Sequence, residues 1–234
     1  IMDFLCKINS TEIEIIVIDG GSADGTILVI KQYEQNISYW ETGLDHGITD
    51  AFNRGVQHAT GDLVAILNSD DYWEDTTIDV LINAYKAFPD AEIFYGNLRF
   101  INEAADESYI KKPNIKRMKY RMNIFHPAMF VKRSVYKKIG LYRLDYHYAM
   151  DSEWCHRAIQ MGIKFHYIPQ VLASMRLGGV SDIEYKKSLN EYRLSVVEHK
   201  LASAFEARIY YNFFVFMKIV MKNKLIWTLV RKIT

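Results

Sequence analysis

The chain has 234 residues, half of them hydrophobic, with 29 Lys and Arg against 28 Asp and Glu. That length suits one large domain, or a domain with an appendage, and buries a substantial core. The balanced charge and high apolar content argue against a disordered chain and against a broad nucleic-acid binder. Sixteen Tyr and four Trp supply rings for stacking on bases or sugars, or for filling a core. Cys6 and Cys155 show neither metal nor disulfide spacing, which fits a reducing cytosol, and no signal peptide is expected.

Ile1 to Cys6 reads as the tail of a helix without a start signal, so the chain is expected to lack its natural beginning. Ile13 to Ile18 is continuously apolar and β-branched apart from Glu14, the pattern of a strand buried on both faces. A glycine-rich turn from Asp19 to Thr26 follows, then a helix to about Tyr33 and a short strand over Ile37 to Trp40. Gly47 to Ala59 predicts an amphipathic helix. Ile48, Ala51, Phe52, Gly55, Val56 and Ala59 share its apolar face, leaving Asp50, Asn53 and Arg54 on the others. Asp62 to Leu67 is a third strand, Thr76 to Phe88 a helix stopped by Pro89, and Ile93 to Phe100 a fourth strand.

This alternation predicts a right-handed, mostly parallel α/β sheet. Ligands of such sheets sit beyond the carboxyl ends of strands, where the Asp19 loop and Asn68 to Asp71 both lie. Past residue 100 the pattern loosens. Ala128 to Val131, Lys164 to Ile168 and Val171 to Met175 read as strands, and Met150 to Met161 as a helix with Asp151 and Glu153 in its first turn. From Asp182 the chain reads helical. The aromatic stretch Ile209 to Met217, followed by Lys218, Lys222 and Lys224, is too short to span a bilayer. It suits either a helix lying on an anionic membrane surface or one packed on protein.

The chemistry centres on Asn68-Ser69-Asp70-Asp71, where an apolar strand runs out into adjacent carboxylates. Two unpaired charges at a sheet rim suit an oxygen-liganded divalent cation that also holds phosphates, although these residue types also build plain turns. Taken alone, the Asp19 loop reads as a capped strand-to-helix turn, Asp50 and Arg54 as an i, i+4 surface ion pair, and Asp151 as a helix cap or a general base. The glycines at 20, 21 and 25 do not have the dinucleotide-binding spacing.

Five segments in order carry a resemblance. They are Ile-Val-Ile-Asp-Gly-Gly-Ser-Ala-Asp-Gly-Thr (16–26), Asp-His-Gly-Ile-Thr-Asp-Ala-Phe-Asn-Arg-Gly (45–55) and Thr-Gly-Asp-Leu-Val-Ala-Ile-Leu-Asn-Ser-Asp-Asp (60–71). Phe-His-Pro-Ala-Met-Phe-Val-Lys-Arg (125–133) and Met-Asp-Ser-Glu-Trp (150–154) complete the set. Together they resemble the family 2 glycosyltransferases, nucleotide-sugar-dependent inverting enzymes of the GT-A fold. The resemblance implies a Rossmann-like mixed sheet flanked by helices over residues 1–181, with 182–234 as a helical extension.

By that resemblance Asp19 recognises the base or ribose of the donor, and Asp50, Asn53 and Arg54 line the nucleotide side. Asp70 holds Mg²⁺ or Mn²⁺ against the diphosphate with Asp71 beside it, and Arg176 meets the leaving diphosphate. Asp151 is the implied catalytic base, with Trp73 and His126 on the acceptor side. The implied partners are a nucleotide-sugar donor, UDP-sugar foremost, and a glycan or lipid-linked acceptor. A hexosyltransferase of bacterial surface polysaccharide synthesis is expected, cytoplasmic and peripheral to the membrane, with a homo-oligomer left open and no nucleic acid bound.

The chain departs from the pattern in three places. Asn68 replaces the first acid of the family's Asp-x-Asp, Gly20 replaces a second loop Asp, and the family's first strand has no counterpart here. A sugar-nucleotide pyrophosphorylase and a non-catalytic nucleotide- or glycan-binding module are the alternatives.

Overall fold

The computed structural model describes residues 13–102, 108–178 and 183–222. The expectations for Ile1 to Cys6 and for the tail past residue 222 lie outside the described residues. In chain order the first elements are β1 (Ile16–Asp19), α1 (Thr26–Gln32), β2 (Tyr39–Thr42), α2 (Ile48–His58), β3 (Leu63–Ala65), β4 (Tyr72–Trp73) and α3 (Thr77–Ala87). There follow β5 (Ile93–Ile101), β6 (Ser108–Lys111), β7 (Met129–Lys132), α4 (Arg133–Ile139), α5 (Met150–Gln160), β8 (Phe165–Arg176), α6 (Tyr185–Glu198) and α7 (Ala204–Lys222).

β1 and β2 pair in parallel, Val17 opposite Trp40. The larger sheet runs β3-β7-β5-β8-β4, with β6 added to β5. Only β5 with β8 is parallel there among the described pairs; the rest are antiparallel, so the sheet is mixed rather than mostly parallel. One of these antiparallel pairs follows from chain length: a parallel neighbour needs a crossover of about a dozen residues or more, which the short link from β5 to β6 does not offer.

β5 is the spine. Its alternation sends Ile93 and Tyr95 into one apolar cluster, with Val131, Trp154 and Phe52, and Phe94, Leu98 and Phe100 into the other, with Leu81, Phe130 and Leu172. Each such side chain contributes about 1.5–3 kcal/mol when fully buried. The two strands expected around Pro169 are one strand, β8, whose register against β5 shifts beside Gly96 and Asn97. A Cβ on Gly96 would lie 2.5 Å from Leu172 and 2.9 Å from the Gln170 carbonyl, so only glycine fits the bulge.

β1 and β3 are both edge strands among the described residues, and they face each other across a cleft of about 1110 Å³. The Glu14 carboxylate spans its base, accepting from the Thr60 and Gly61 amides at 2.8 and 3.3 Å. Ile16, Ile18, Val64 and Leu81 make much of the wall apolar, and Asp19, Ser22, Asn68 and Ser69 line it where the strands end. The helical extension packs on the rest through Tyr192, Val196 and Ala207 around Ala149.

Candidate active site

The Asp19 loop is built by its own carboxylate. Asp19 is buried at the end of β1; Oδ2 accepts from the amides of Gly21 (3.0 Å) and Ser22 (2.9 Å) and from Thr42 Oγ1 (2.6 Å). Oδ1 accepts from Ser22 Oγ at 2.5 Å. Burial pushes this carboxyl upward, but the hydrogen bonds from Ser22, Thr42 and Gly21 outweigh it and hold the group at about 2. Three of these four hydrogen bonds fall on Oδ2, so Oδ1, which accepts only from Ser22, keeps a direction open for a further donor. Gly20 lies against Asp45, whose Oδ2 would be 2.9 Å from an added Cβ. The side chain absent at position 20 would therefore crowd a second carboxylate.

α2 carries the next group. Asp50 Oδ2 accepts from the His46 amide at 3.2 Å, closing the loop that enters the helix. Arg54 pairs not with Asp50 but with Glu41 of β2, Nε to Oε1 at 2.8 Å, which ties α2 to the small sheet. Asn53 is a correction. Expected on the nucleotide side, it is buried, with Nδ2 donating to the Tyr142 carbonyl and Oδ1 accepting from the Tyr142 amide, both at 2.8 Å. Both its polar groups are engaged in fixing the chain that leads to α5.

Beyond β3, the Asp71 amide donates to the Asn68 carbonyl at 3.1 Å, a tight turn that leaves Asp70 exposed and Asp71 buried. Asp71 Oδ1 accepts from the Arg176 amide at 3.2 Å, while its buried Oδ2 has no partner among the described residues. Burial first, and the Asp70 charge second, push the Asp71 carboxyl up to about 6. An orphaned carboxylate oxygen beside a second carboxylate fits a cation position. No group of three His, Cys, Asp or Glu gathers among the described residues, so a cation here would also need donor phosphate oxygens or water.

His126 connects this turn to α5. Its Nε2 lies 3.3 Å from Asn68 Nδ2, and its Nδ1 lies 3.6 Å from Asp151 Oδ2, an ion-pair distance when the imidazole is protonated. Asp151 stands in the first turn of α5, where Oδ1 accepts from the Ser152 amide at 2.7 Å and the helix dipole favours its charge. Trp73 holds the same turn from behind, its Nε1 donating to the Pro127 carbonyl at 2.9 Å. Asp71 thus meets the end of β8 at Arg176, His126 joins Asn68 to Asp151 at the start of α5, and Asp19, at the end of β1, lines the same cleft as Asn68. The contacts of His126 with Asn68 and Asp151 carry no signal in the sequence, because neither partner is near it in the chain.

Glycosyl transferase family 2 matches residues 2–149, ending just before Asp151. An uncharacterized glycosyltransferase of Mycobacterium tuberculosis is 34% identical over 151 residues, 62% of this chain and 57% of that protein. A PGL/p-HBAD biosynthesis glycosyltransferase of Mycobacterium bovis is 28% identical over 199 residues, 80% of this chain and 77% of that protein. The chain therefore spans little more than half of the first of these relatives.

Among solved structures, S. aureus TarS aligns at TM-score 0.65 and 15% identity over 88% of this chain and 38% of TarS. The mannosyltransferase PcManGT from Pyrobaculum calidifontis, in complex with GDP-Man and Mn²⁺, aligns at 0.59 and 18% identity over 85% of this chain and 60% of its own. At these identities the likeness is one of fold. The loops after β1 and β3 fall within the family match, and this chain belongs to glycosyl transferase family 2, with the GT-A fold.

Proposed function

We propose that this protein transfers a hexosyl group from a nucleotide-diphosphate sugar to an acceptor hydroxyl, with inversion at the anomeric carbon. The observation that carries the proposal is His126, which touches both Asp151 and Asn68 and so puts a candidate base beside a candidate diphosphate site. Asp151 takes the acceptor proton as the hydroxyl oxygen attacks the anomeric carbon. The bond from that carbon to the diphosphate breaks, and the nucleoside diphosphate leaves with the electron pair. His126 orients Asp151, and Trp73 shapes the acceptor side by fixing the turn at Pro127.

The Asp19 loop and Asp50 border the nucleotide, and the Arg176 strand end faces the diphosphate through Asp71. Asp70 and Asp71 would hold Mg²⁺ or Mn²⁺, which neutralises diphosphate charge when bound. A UDP-sugar is the favoured donor. TarS was solved with UDP and with UDP-GlcNAc, which supports a uridine nucleotide, and PcManGT with GDP-Man is the competing precedent.

The acceptor we assign is a lipid-linked glycan of a bacterial surface polymer, met at the cytoplasmic face of the membrane. α7 supports this, because Phe205, Ile209, Phe213, Phe216 and Ile219 form an exposed apolar stripe along it, with Arg208 and Lys218 on the same helix. No described helix is long and apolar enough to cross a membrane.

Hydrolysis of UDP-glucose, UDP-GlcNAc and GDP-mannose with Mn²⁺ tests the proposal. Asp151→Asn is expected to lose turnover by about 100-fold or more while still binding nucleotide, and Asp70→Ala to lose both turnover and metal-dependent binding. Absence of turnover by the native protein across these donors, with and without candidate acceptors, would sink it.

A further inference from the structure

α5 begins without a side-chain cap of its own. The amides that precede it are nonetheless satisfied, by a carboxylate from the helical extension. Glu191, midway along α6, accepts from His147 N at 3.1 Å through Oε1, and from Tyr148 N at 2.7 Å and Ala149 N at 2.9 Å through Oε2. Three successive amides on one carboxylate form a charge-assisted clamp, two residues from Asp151.

The same stretch is also bonded to α2: Asn53 binds the Tyr142 backbone, and Thr49 Oγ1 donates to the Tyr146 carbonyl at 3.1 Å. Residues 142–149 are thus tied both to α2, which carries Asp50, and to α6. Further along α5, His156 Nδ1 meets Ser195 Oγ at 2.8 Å, and Glu153 meets His199 at 2.9 Å. These contacts anchor Glu153 in the first turn of α5 and His156 in its body, whereas Glu191 holds the residues that lead into the helix.

We infer that Glu191 is a positioning residue for the transfer reaction, fixing the start of α5 so that the Asp151 carboxylate stays beside His126. This inference rests on Asp151 being the base. Without Glu191 three amides ahead of α5 lose their acceptor, the entry to the helix loosens, and Asp151 no longer keeps one orientation. The groups proposed for the nucleotide, Asp19 and Asp50, make no hydrogen bond to Glu191 or to the amides it holds. Turnover falls and donor binding does not.

Turnover of the donors named above, donor KM, nucleotide affinity and amide exchange of residues 147–152 are measured in Glu191→Ala, Glu191→Gln, Asp151→Asn and the Glu191→Ala/Asp151→Asn double variant. Glu206→Ala, which removes the Ser203 contacts at the start of α7 and the attraction of Lys119, is the control for loss of stability in the extension. We expect Glu191→Ala to lower kcat about tenfold or more, with donor KM and nucleotide Kd within about twofold, and faster exchange at 147–149. Glu191→Gln, which keeps shape and one acceptor oxygen, should fall between it and wild type. The double variant should be no slower than Asp151→Asn, because both changes act through one carboxylate.

Wild-type kcat in Glu191→Ala, alongside an inactive Asp151→Asn, would overturn the positioning role and leave the catalytic proposal standing. An equal loss in Glu206→Ala would overturn it too, as a general effect of destabilising the extension. Full turnover by Asp151→Asn would remove the catalytic proposal itself, and the positioning role with it.

Discussion

His126 Nδ1 lies 3.6 Å from the Asp151 carboxylate, on the opposite side of the imidazole from its contact with Asn68. The ring is buried beside Phe52, which packs edge-on at 5.3 Å between centroids, and so has little freedom to rotate. Its two nitrogens therefore join Asp151 to the turn that carries Asp70 and Asp71.

Replacing His126 with Ala should lower kcat by about 10- to 100-fold while nucleotide affinity changes little, because Asp151, the proposed base, loses its orienting neighbour. Turnover kinetics set beside nucleotide titration check this. An unchanged kcat would remove His126 from the catalytic arrangement.

Asp19→Asn should destabilise the protein by about 2 kcal/mol and weaken nucleotide binding, since a neutral amide cannot accept from all its partners. The sign with pH follows from the depressed carboxyl, at about 2 in the folded chain against an ordinary 3.8. Its contribution is complete above pH 4 and is lost as the pH falls toward 2. Denaturant unfolding of wild type and variant across that range should show the difference between them shrinking.

His156 has the opposite history. Fully buried, it donates from Nε2 to the Met118 carbonyl, and Nδ1 then accepts from Ser195. Burial above all, with the nearby His199 as a smaller influence, holds the ring down at about 4, against the attraction of Glu153 and Asp151. The unfolded chain takes up its proton near pH 6.5 and the folded chain does not until about 4. Stability should therefore fall by about 3 kcal/mol as the pH drops from 6.5 to 4. Thermal melts of His156→Gln should show a shallower pH dependence across that window.

Replacing Phe205, Phe213 and Phe216 with Ser should reduce binding to vesicles of mixed neutral and anionic lipid by about tenfold or more. High salt should weaken wild-type binding as well, through the basic residues of α7. Partitioning that ignored both changes would detach α7 from the membrane.

Elements whose signal is local are legible in the chain alone. The apolar run into β1, the amphipathic pattern of α2, the carboxylates after β3 and the acidic first turn of α5 are each set by neighbours in the chain. Five such segments in order carried the family. Tertiary structure alone decided what depends on distant partners. It set the antiparallel neighbours of β5, because pairing is chosen by crossover length and packing. It turned Asn53 inward to the Tyr142 backbone, since one helix face cannot specify what packs against it. It joined His126 to Asp151, and Glu191 to the amides before α5. Contacts of a few ångströms between residues far apart in sequence leave no periodicity to read; only the folded chain brings them together.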